Sequence, residues 1–322
     1  MIEKSLFFVS ILSSILGFSL PETKFDYAIY KLEQKNINSV VASEIDNYLP
    51  ELVRMPEVYK NAPDAGIRAN NYILADLESA KILLKKGENT RVPIASTTKI
   101  MTAIVTLENY ELDDVVTISA EAAYQAGADA FLRVGEEITV NELLHCLLIK
   151  SGNDSAYALA EYLNDSDEVG INKFVDKMNE KASELNMTNT KYMDPAGLDV
   201  SGYSTAHDLF LVTREALKNN LFQNIVSLEQ YVARNVDNTI FHELKNSNRL
   251  VGEYKYDGAF GVKTGYMPEA GHCLVSVASR DGHILIGVVL HTYLDTVTAS
   301  ADESVRLLDW GFENIDWHKK DA

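Results

Sequence analysis

Three short strings pairing a serine, an amide or an amine stand in order along this chain: Ser96-Thr-Thr-Lys99, Ser151-Gly-Asn153 and Lys263-Thr-Gly265. On average composition S-x-x-K and S-x-N each arise by chance about once in a chain of this length, and K-T-G in about one chain in ten. In this order they describe a serine made nucleophilic by a neighbouring amine. An isolated serine hydroxyl attacks poorly at neutral pH and needs an adjacent base. Lysine can be that base once burial or a second cation makes it substantially neutral. Lys99 follows Ser96 by three residues, so on a helix the two side chains meet on one face. Lys263 is the candidate second cation.

The flanking residues say which elements must position these groups. Ile100, Met101, Ile104, Val105 and Leu107 recur at helical spacing directly after Val92-Pro-Ile-Ala-Ser96, which places Ser96 at the first turn of a helix entering the core. A helix N-terminus offers unpaired N–H groups to a developing oxyanion. Ser151-Gly-Asn153 lies between an apolar stretch (Leu143 to Ile149) and Ala156 to Ala160, and reads as a short helix-to-helix connection with Gly152 at the turn. Phe260–Tyr266, Cys273–Ser279 and Ile284–Leu290 read as strands, the last two joined by an Asp281-Gly282 hairpin turn. Glycines on either side of Lys263-Thr264 permit close backbone approach at a strand edge, and a sharp bulge is the other reading. A strand pair, Asn71 to Leu77 and Ala80 to Lys85, joins these late strands and a final helix at about 302–314 in an antiparallel sheet covered by helices. The helix-rich middle, roughly 97–222, forms a second lobe that presents Ser151 and Asn153 across a cleft from Lys263. The class is α+β.

Further segments extend the pattern. They are Ile94-Ala-Ser-Thr-Thr-Lys-Ile-Met-Thr-Ala103, Leu132-Arg-Val-Gly-Glu-Glu, Leu148-Ile-Lys-Ser-Gly-Asn-Asp-Ser-Ala156, Tyr192-Met-Asp-Pro-Ala-Gly-Leu198 and Tyr203-Ser-Thr-Ala206. Asn246-Ser-Asn-Arg-Leu, Gly261-Val-Lys-Thr-Gly-Tyr266, Glu269-Ala-Gly-His-Cys-Leu and Leu307-Leu-Asp-Trp-Gly-Phe312 follow. From roughly Asn70 to Phe312 the chain resembles the low-molecular-mass penicillin-binding proteins, specifically the serine-type D-alanyl-D-alanine carboxypeptidases of the S11 peptidase type. The resemblance implies the β-lactamase/DD-peptidase-like fold: an antiparallel sheet flanked by helices, plus a helix-rich lobe.

It also implies roles. Ser96 would be acylated by the penultimate D-alanine of a peptidoglycan stem peptide, with Lys99 as general base and Ser151 bridging protons to the leaving amine. Asn153 would hold the peptide amide and Lys263 tune the electrostatics. Thr264 and Gly265 would line the substrate strand, and the backbone N–H groups of Ser96 and Tyr266 would form the oxyanion hole. No cofactor is implied, and β-lactam antibiotics would inhibit covalently. One departure concerns the terminal carboxylate. Some members carry an arginine between the two asparagines where this chain has Ser247, and another after the last core strand, where Val289-Leu-His-Thr-Tyr has none. Thr264 is then the motif-based candidate for that carboxylate, with Arg249, His272 and His291 nearby in sequence. A D,D-endopeptidase cleaving cross-links would use the same residues, and a non-catalytic penicillin-binding scaffold is the non-enzymatic reading. A class A β-lactamase carries S-D-N and a glutamate that activates the deacylating water; here Gly152 stands in the middle and no E-x-x-L-N string follows.

The remaining features agree with an exported enzyme. Leu6 to Leu20 is nearly continuous apolar and small residues after Lys4, and Gly17-Phe-Ser19 resembles a cleavage site. That run is too short to span a bilayer comfortably. Residues 1–19 are read as a signal peptide, with an uncleaved N-terminal anchor as the alternative. Residues 20–64 are an extension with one candidate amphipathic helix, 65–316 the catalytic domain and 317–322 a tail. A net charge of −18 argues against nucleic acid as a partner and against attraction to an anionic membrane surface. Cys146 and Cys273, in apolar stretches, are expected as buried free thiols rather than a disulfide. No metal-ligand spacing is visible, and His207 and His272 read as ordinary surface or packed residues. The sequence leaves the oligomeric state and the third residue of the stem peptide open.

Overall fold

Two β-hairpin patterns at opposite ends of the chain build one sheet. The computed structural model describes residues 56–164, 167–292, 294 and 296–317. The leader, most of the 20–64 extension and all of the tail but Trp317 lie outside the described residues. Strands β1 (Ala69–Asp76), β2 (Ile82–Lys86), β3 (Ala259–Met267), β4 (Gly271–Arg280) and β5 (His283–Thr292) form an antiparallel sheet in the order β2-β1-β5-β4-β3. The N-terminal hairpin therefore pairs with β5, the last strand of this sheet in chain order, Val288 facing Ile73 and Leu285 facing Asp76. Asp281 (φ 51°) and Gly282 (φ 81°) close the β4–β5 hairpin in the left-handed region, as a type I′ turn requires.

The central strands are buried along Cys273–Ala278 and Leu285–Leu290 with no polar alternation beyond Ser276, because helices cover both faces. Among the helices, α1 (Lys99–Asn109), α2 (Val140–His145), α3 (Asn153–Glu161), α4 (Asp167–Glu184), α5 (Ala206–Ala216) and α6 (Asn220–Ser227) make up the second lobe. The last, α7 (Ala299–Asn314), packs on β4 and β5, beginning three residues earlier than the sequence pattern suggests. Helix α5 packs on β1 and β5 and so joins the lobe to the sheet. The lobe's core is a continuous cluster in which Ile100, Met101, Leu143, Leu144, Leu159, Phe174, Met178 and Leu209 are shut from water. Two small ribbons, Val115–Thr117 with Glu137–Thr139 and Gln230–Arg234 with Phe241–Lys245, flank it. Val58–Ile315 form a single compact unit. Tyr59 N–H and the Trp310 indole N–H tie residues 59–63 to α7, donating to and from it through Asn314 O (2.9 Å) and Pro63 O (2.8 Å).

Strand β3 is an edge of the sheet, so one of its sides is open to an extended ligand. Both readings of its glycines hold: a register shift between Ala259 and Gly261 marks a bulge, and Gly265 is the point of close approach. A Cβ on Gly265 would stand 2.8 Å from Ile94 O and 3.2 Å from Ser96 N. The opposite flank of the same Ser96 turn is packed by Gly197 (φ 79°), where a Cβ would fall inside the van der Waals shell of the Ala95 carbonyl. Gly197→Ala therefore carries both a left-handed backbone penalty and a backbone clash. The expected outcome is a loss of about 2 kcal/mol or more and a thermal midpoint lowered by about 5 °C, together with slower labelling of Ser96 by a fluorescent penicillin. Thermal melts and labelling time courses check both.

Candidate active site

Ser96 sits one step earlier than an α-helix. Ala95–Thr98 form a 3₁₀ turn, and α1 starts at Lys99. Ala95 enters this turn at φ 47°, a conformation a branched residue would resist, and the Thr97 hydroxyl donates to Ile94 O at 2.8 Å. Side chains three apart nearly eclipse on a 3₁₀ turn. That brings Lys99 Nζ to 3.0 Å from Ser96 Oγ. Lys99 is fully buried, and its Nζ also donates to Asn153 Oδ1 (2.6 Å) and Ala196 O (2.8 Å). Burial pulls its pKa down to about 7, against the opposing pull of the Asp194 and Asp154 charges.

The second string is carried by an unusual helix end. Helix α2 widens into a π turn over Cys146–Lys150, a feature frequent at functional sites. Ser151 follows at φ 68° and ψ 29°, and α3 begins at Asn153. The connection is thus shorter and more strained than a loop. Asn153 is held at three points: its N–H donates to Ala128 O (2.7 Å), its Nδ2 to Ala126 O (2.5 Å), and its Oδ1 receives Lys99.

From the third string, Lys263 on β3 is 1% exposed and donates to Ser151 Oγ (2.8 Å) and Thr264 O (3.0 Å). Burial, then the neighbouring charge of Lys99, holds its pKa well below the lysine range. The sequence suggested Lys263 as a cation acting on Lys99; burial alone is what depresses Lys99, and the charge effect is resolved on Lys263. Each lysine thus donates to one serine, Lys99 to Ser96 and Lys263 to Ser151.

All seven motif side chains and backbones converge here: Ser96, Lys99, Ser151, Asn153, Lys263, Thr264 and Gly265. Tyr266 follows at the exposed end of β3, its ring stacked on His272 with centroids 4.4 Å apart. Of the other carboxylate candidates, Arg249 pairs with Glu253, and His291 lies at φ 53° against Gly271. Ser247, which the sequence marks only as the position without an arginine, brings its hydroxyl to 2.8 Å from that of Thr264. Its signal was the Asn-x-Asn pattern. The Asn246 side chain donates to Val226 O and Leu228 O and accepts Asn248 N–H, and the Asn248 side-chain Oδ1 accepts Leu250 N–H, so both asparagines are buried builders of a turn that presents the residue between them. Cys146 and Cys273 are buried free thiols. Among the described residues no group of His, Cys, Asp and Glu could hold a metal ion, and no helix is long and apolar enough to cross a membrane.

Fold and site together define a serine-nucleophile peptidase of the penicillin-binding class. The chain belongs to the D-alanyl-D-alanine carboxypeptidase family of S11 peptidases, whose family model matches residues 57–293. It is 35% identical to the D-alanyl-D-alanine carboxypeptidase DacF of Bacillus subtilis over 266 residues, which make up 80% of this chain and 66% of that one. It is likewise 35% identical to a D-alanyl-D-alanine endopeptidase of Pseudomonas aeruginosa over 213 residues, 65% of this chain and 66% of the other. The crystal structure of the Streptomyces K15 DD-transpeptidase superposes with a TM-score of 0.72 at 35% identity, covering 77% of this chain and 98% of that one.

Lys99→Met tests the assignment of the buried amine. The variant is expected to fold, with a stability loss of about 1–3 kcal/mol because Asn153 Oδ1 and Ala196 O lose their donor. Acylation by penicillin should fall by a factor of about a hundred or more. Circular dichroism melts and stopped-flow labelling separate the two effects.

Proposed function

We propose that this enzyme removes the terminal D-alanine from peptidoglycan stem pentapeptides through an acyl-enzyme on Ser96. The observation that carries this is the buried Lys99 amine, 3.0 Å from the Ser96 hydroxyl and poised to lose its proton near pH 7. Neutral Lys99 takes the hydroxyl proton as Oγ attacks the carbonyl carbon of the penultimate D-alanine. The resulting oxyanion is received by the backbone N–H groups of Ser96 and Tyr266, a pair of fixed donors of the kind worth about a hundredfold or more in turnover. Ser151, hydrogen-bonded to Lys263, passes a proton to the departing D-alanine amine. Asn153 orients Lys99 and faces the substrate amide, while Thr264 and Gly265 line the edge along which the peptide extends. Water then attacks the ester and regenerates Ser96. The reaction needs no metal or cofactor, and a β-lactam that mimics the D-Ala-D-Ala end acylates the same serine.

The catalytic unit is residues 65–316. The substrate lies outside the cytoplasm, and the apolar run at residues 6–20 is the export signal or tether that takes the enzyme there.

One observation favours a second reading beside the first. Where an arginine would clamp a terminal carboxylate in a bidentate grip, this chain offers two hydroxyls, Ser247 and Thr264. Neutral hydroxyls can donate to an amide oxygen as well as to a carboxylate, so a cross-linked chain that continues past the scissile bond also fits. Incubating the protein without its leader with purified pentapeptide monomers and cross-linked dimers, followed by mass spectrometry, decides the preference. Loss of one alanine from the monomers, absent in Ser96→Ala, supports the carboxypeptidase. Conversion of dimers to monomers makes the enzyme an endopeptidase, and no change in either pool makes it a penicillin-binding scaffold.

A further inference from the structure

Two buried carboxylates next to the site are unused by the reaction above, and both sit directly behind the acceptors of Lys99. Asp154 is 1% exposed and follows Asn153 in the chain. Its carboxylate accepts the N–H groups of Ala130 (3.0 and 3.2 Å, one to each oxygen), Leu132 (3.1 Å) and Ser155 (2.7 Å). These bonds shape the segment 126–132, whose Ala126 and Ala128 carbonyls in turn grip Asn153. Asp194 does the same on the other side. Its Oδ1 accepts Ala196 N–H (2.7 Å) and Gly197 N–H (2.6 Å), and its Oδ2 accepts Asp199 N–H (2.7 Å). That turn aims the Ala196 carbonyl at Lys99 Nζ.

We propose that Asp154 and Asp194 are positioning residues for Lys99, each building the backbone turn that holds one acceptor of its amine and each placing a negative charge behind that acceptor. The inference rests on the reading of Lys99 as the base. In a buried site the two charges favour the protonated amine, so they oppose desolvation and keep Lys99 from losing its proton far below neutral pH. Other titratable groups border the two carboxylates and Lys99. Lys263 senses the Lys99 charge across the cleft. The Tyr157 phenol is pushed up to about 12 by burial and by the Asp194, Glu121 and Asp199 charges. The buried Cys146 thiol and Asp129 border Asp154. Burial, then the Asp129 side chain, raises the Asp154 carboxyl above the usual carboxylate range, so relieving either strengthens its charge behind Asn153.

The sign of each effect is fixed. Removing a negative charge near Lys99 lets it deprotonate at lower pH; making Asp154 ionise more readily does the opposite. The test is the pH profile of Ser96 acylation by a fluorescent penicillin, each profile normalised to its own alkaline plateau, in the wild-type chain and in Asp194→Asn, Asp154→Asn and Asp129→Asn. In Asp194→Asn the acid limb should move to lower pH, raising relative acylation at pH 6 about threefold. Asp154→Asn should move it the same way by a smaller step. In Asp129→Asn, at the partly exposed edge of the segment, the limb should move to higher pH and relative acylation at pH 6 should fall about twofold. Asp129→Asn tests the inference even where a buried variant fails to fold. Lower plateaus with unmoved limbs would mean the carboxylates are merely structural and would overturn the inference alone. A wild-type profile with no acid limb would overturn the role of Lys99 as base, and this inference with it.

Discussion

An amine with no access to water is the constraint on which the rest of this structure depends. Lys99 is wholly buried, and an unpaired ammonium there would cost several kcal/mol of desolvation. The protein meets that cost in two ways at once. Burial brings the proton affinity down towards neutrality, and three acceptors, Ser96 Oγ, Asn153 Oδ1 and Ala196 O, surround whatever charge remains. A serine hydroxyl held against such an amine has a base that needs no further activation.

Much of the local geometry follows from keeping those acceptors in place. The left-handed residues Ala95 and Ser151 stand immediately before Ser96 and immediately before Gly152-Asn153, where the chain has to turn sharply to face the cleft. Gly265 and Gly197 are bare because the nucleophile turn lies against both of them. Lys263 completes the arrangement from the sheet side. Its own burial and the nearby Lys99 disfavour a second full positive charge beside the first, and its amine donates to Ser151.

The parts of the site legible in the sequence were those encoded within a few residues. Ser96 with Lys99, Ser151 with Asn153, and Lys263 with Thr264 each sit in a short string beside a strong apolar run, and the Asp281-Gly282 turn and the unbroken runs of β4 and β5 announce the hairpin. Boundaries blurred where local pattern is ambiguous. The 3₁₀ turn at Ser96 and the π turn at Cys146–Lys150 use residues that would serve equally well in an α-helix, and only the packing of Gly197 and Gly265 against the first, and the grip on Asn153 beside the second, shows why the regular helix gives way. Long-range neighbours stayed hidden altogether. Nothing near Ser247 in sequence points to Thr264, nor does anything local say that Asp154 and Asp194 stand behind the same lysine. The −18 net charge was no guide to a site whose centre holds two lysines.

The most direct measurement is the titration of Lys99 itself. Lysine labelled with ¹³C at Cε, with Lys99→Met to assign the resonance, reports its protonation by NMR across the pH range. A midpoint near pH 7 in the free enzyme is the result predicted by the burial described above. A midpoint above about pH 9, in the range of an ordinary lysine, would mean an ammonium throughout the working range, and Lys99 could not be the base that activates Ser96.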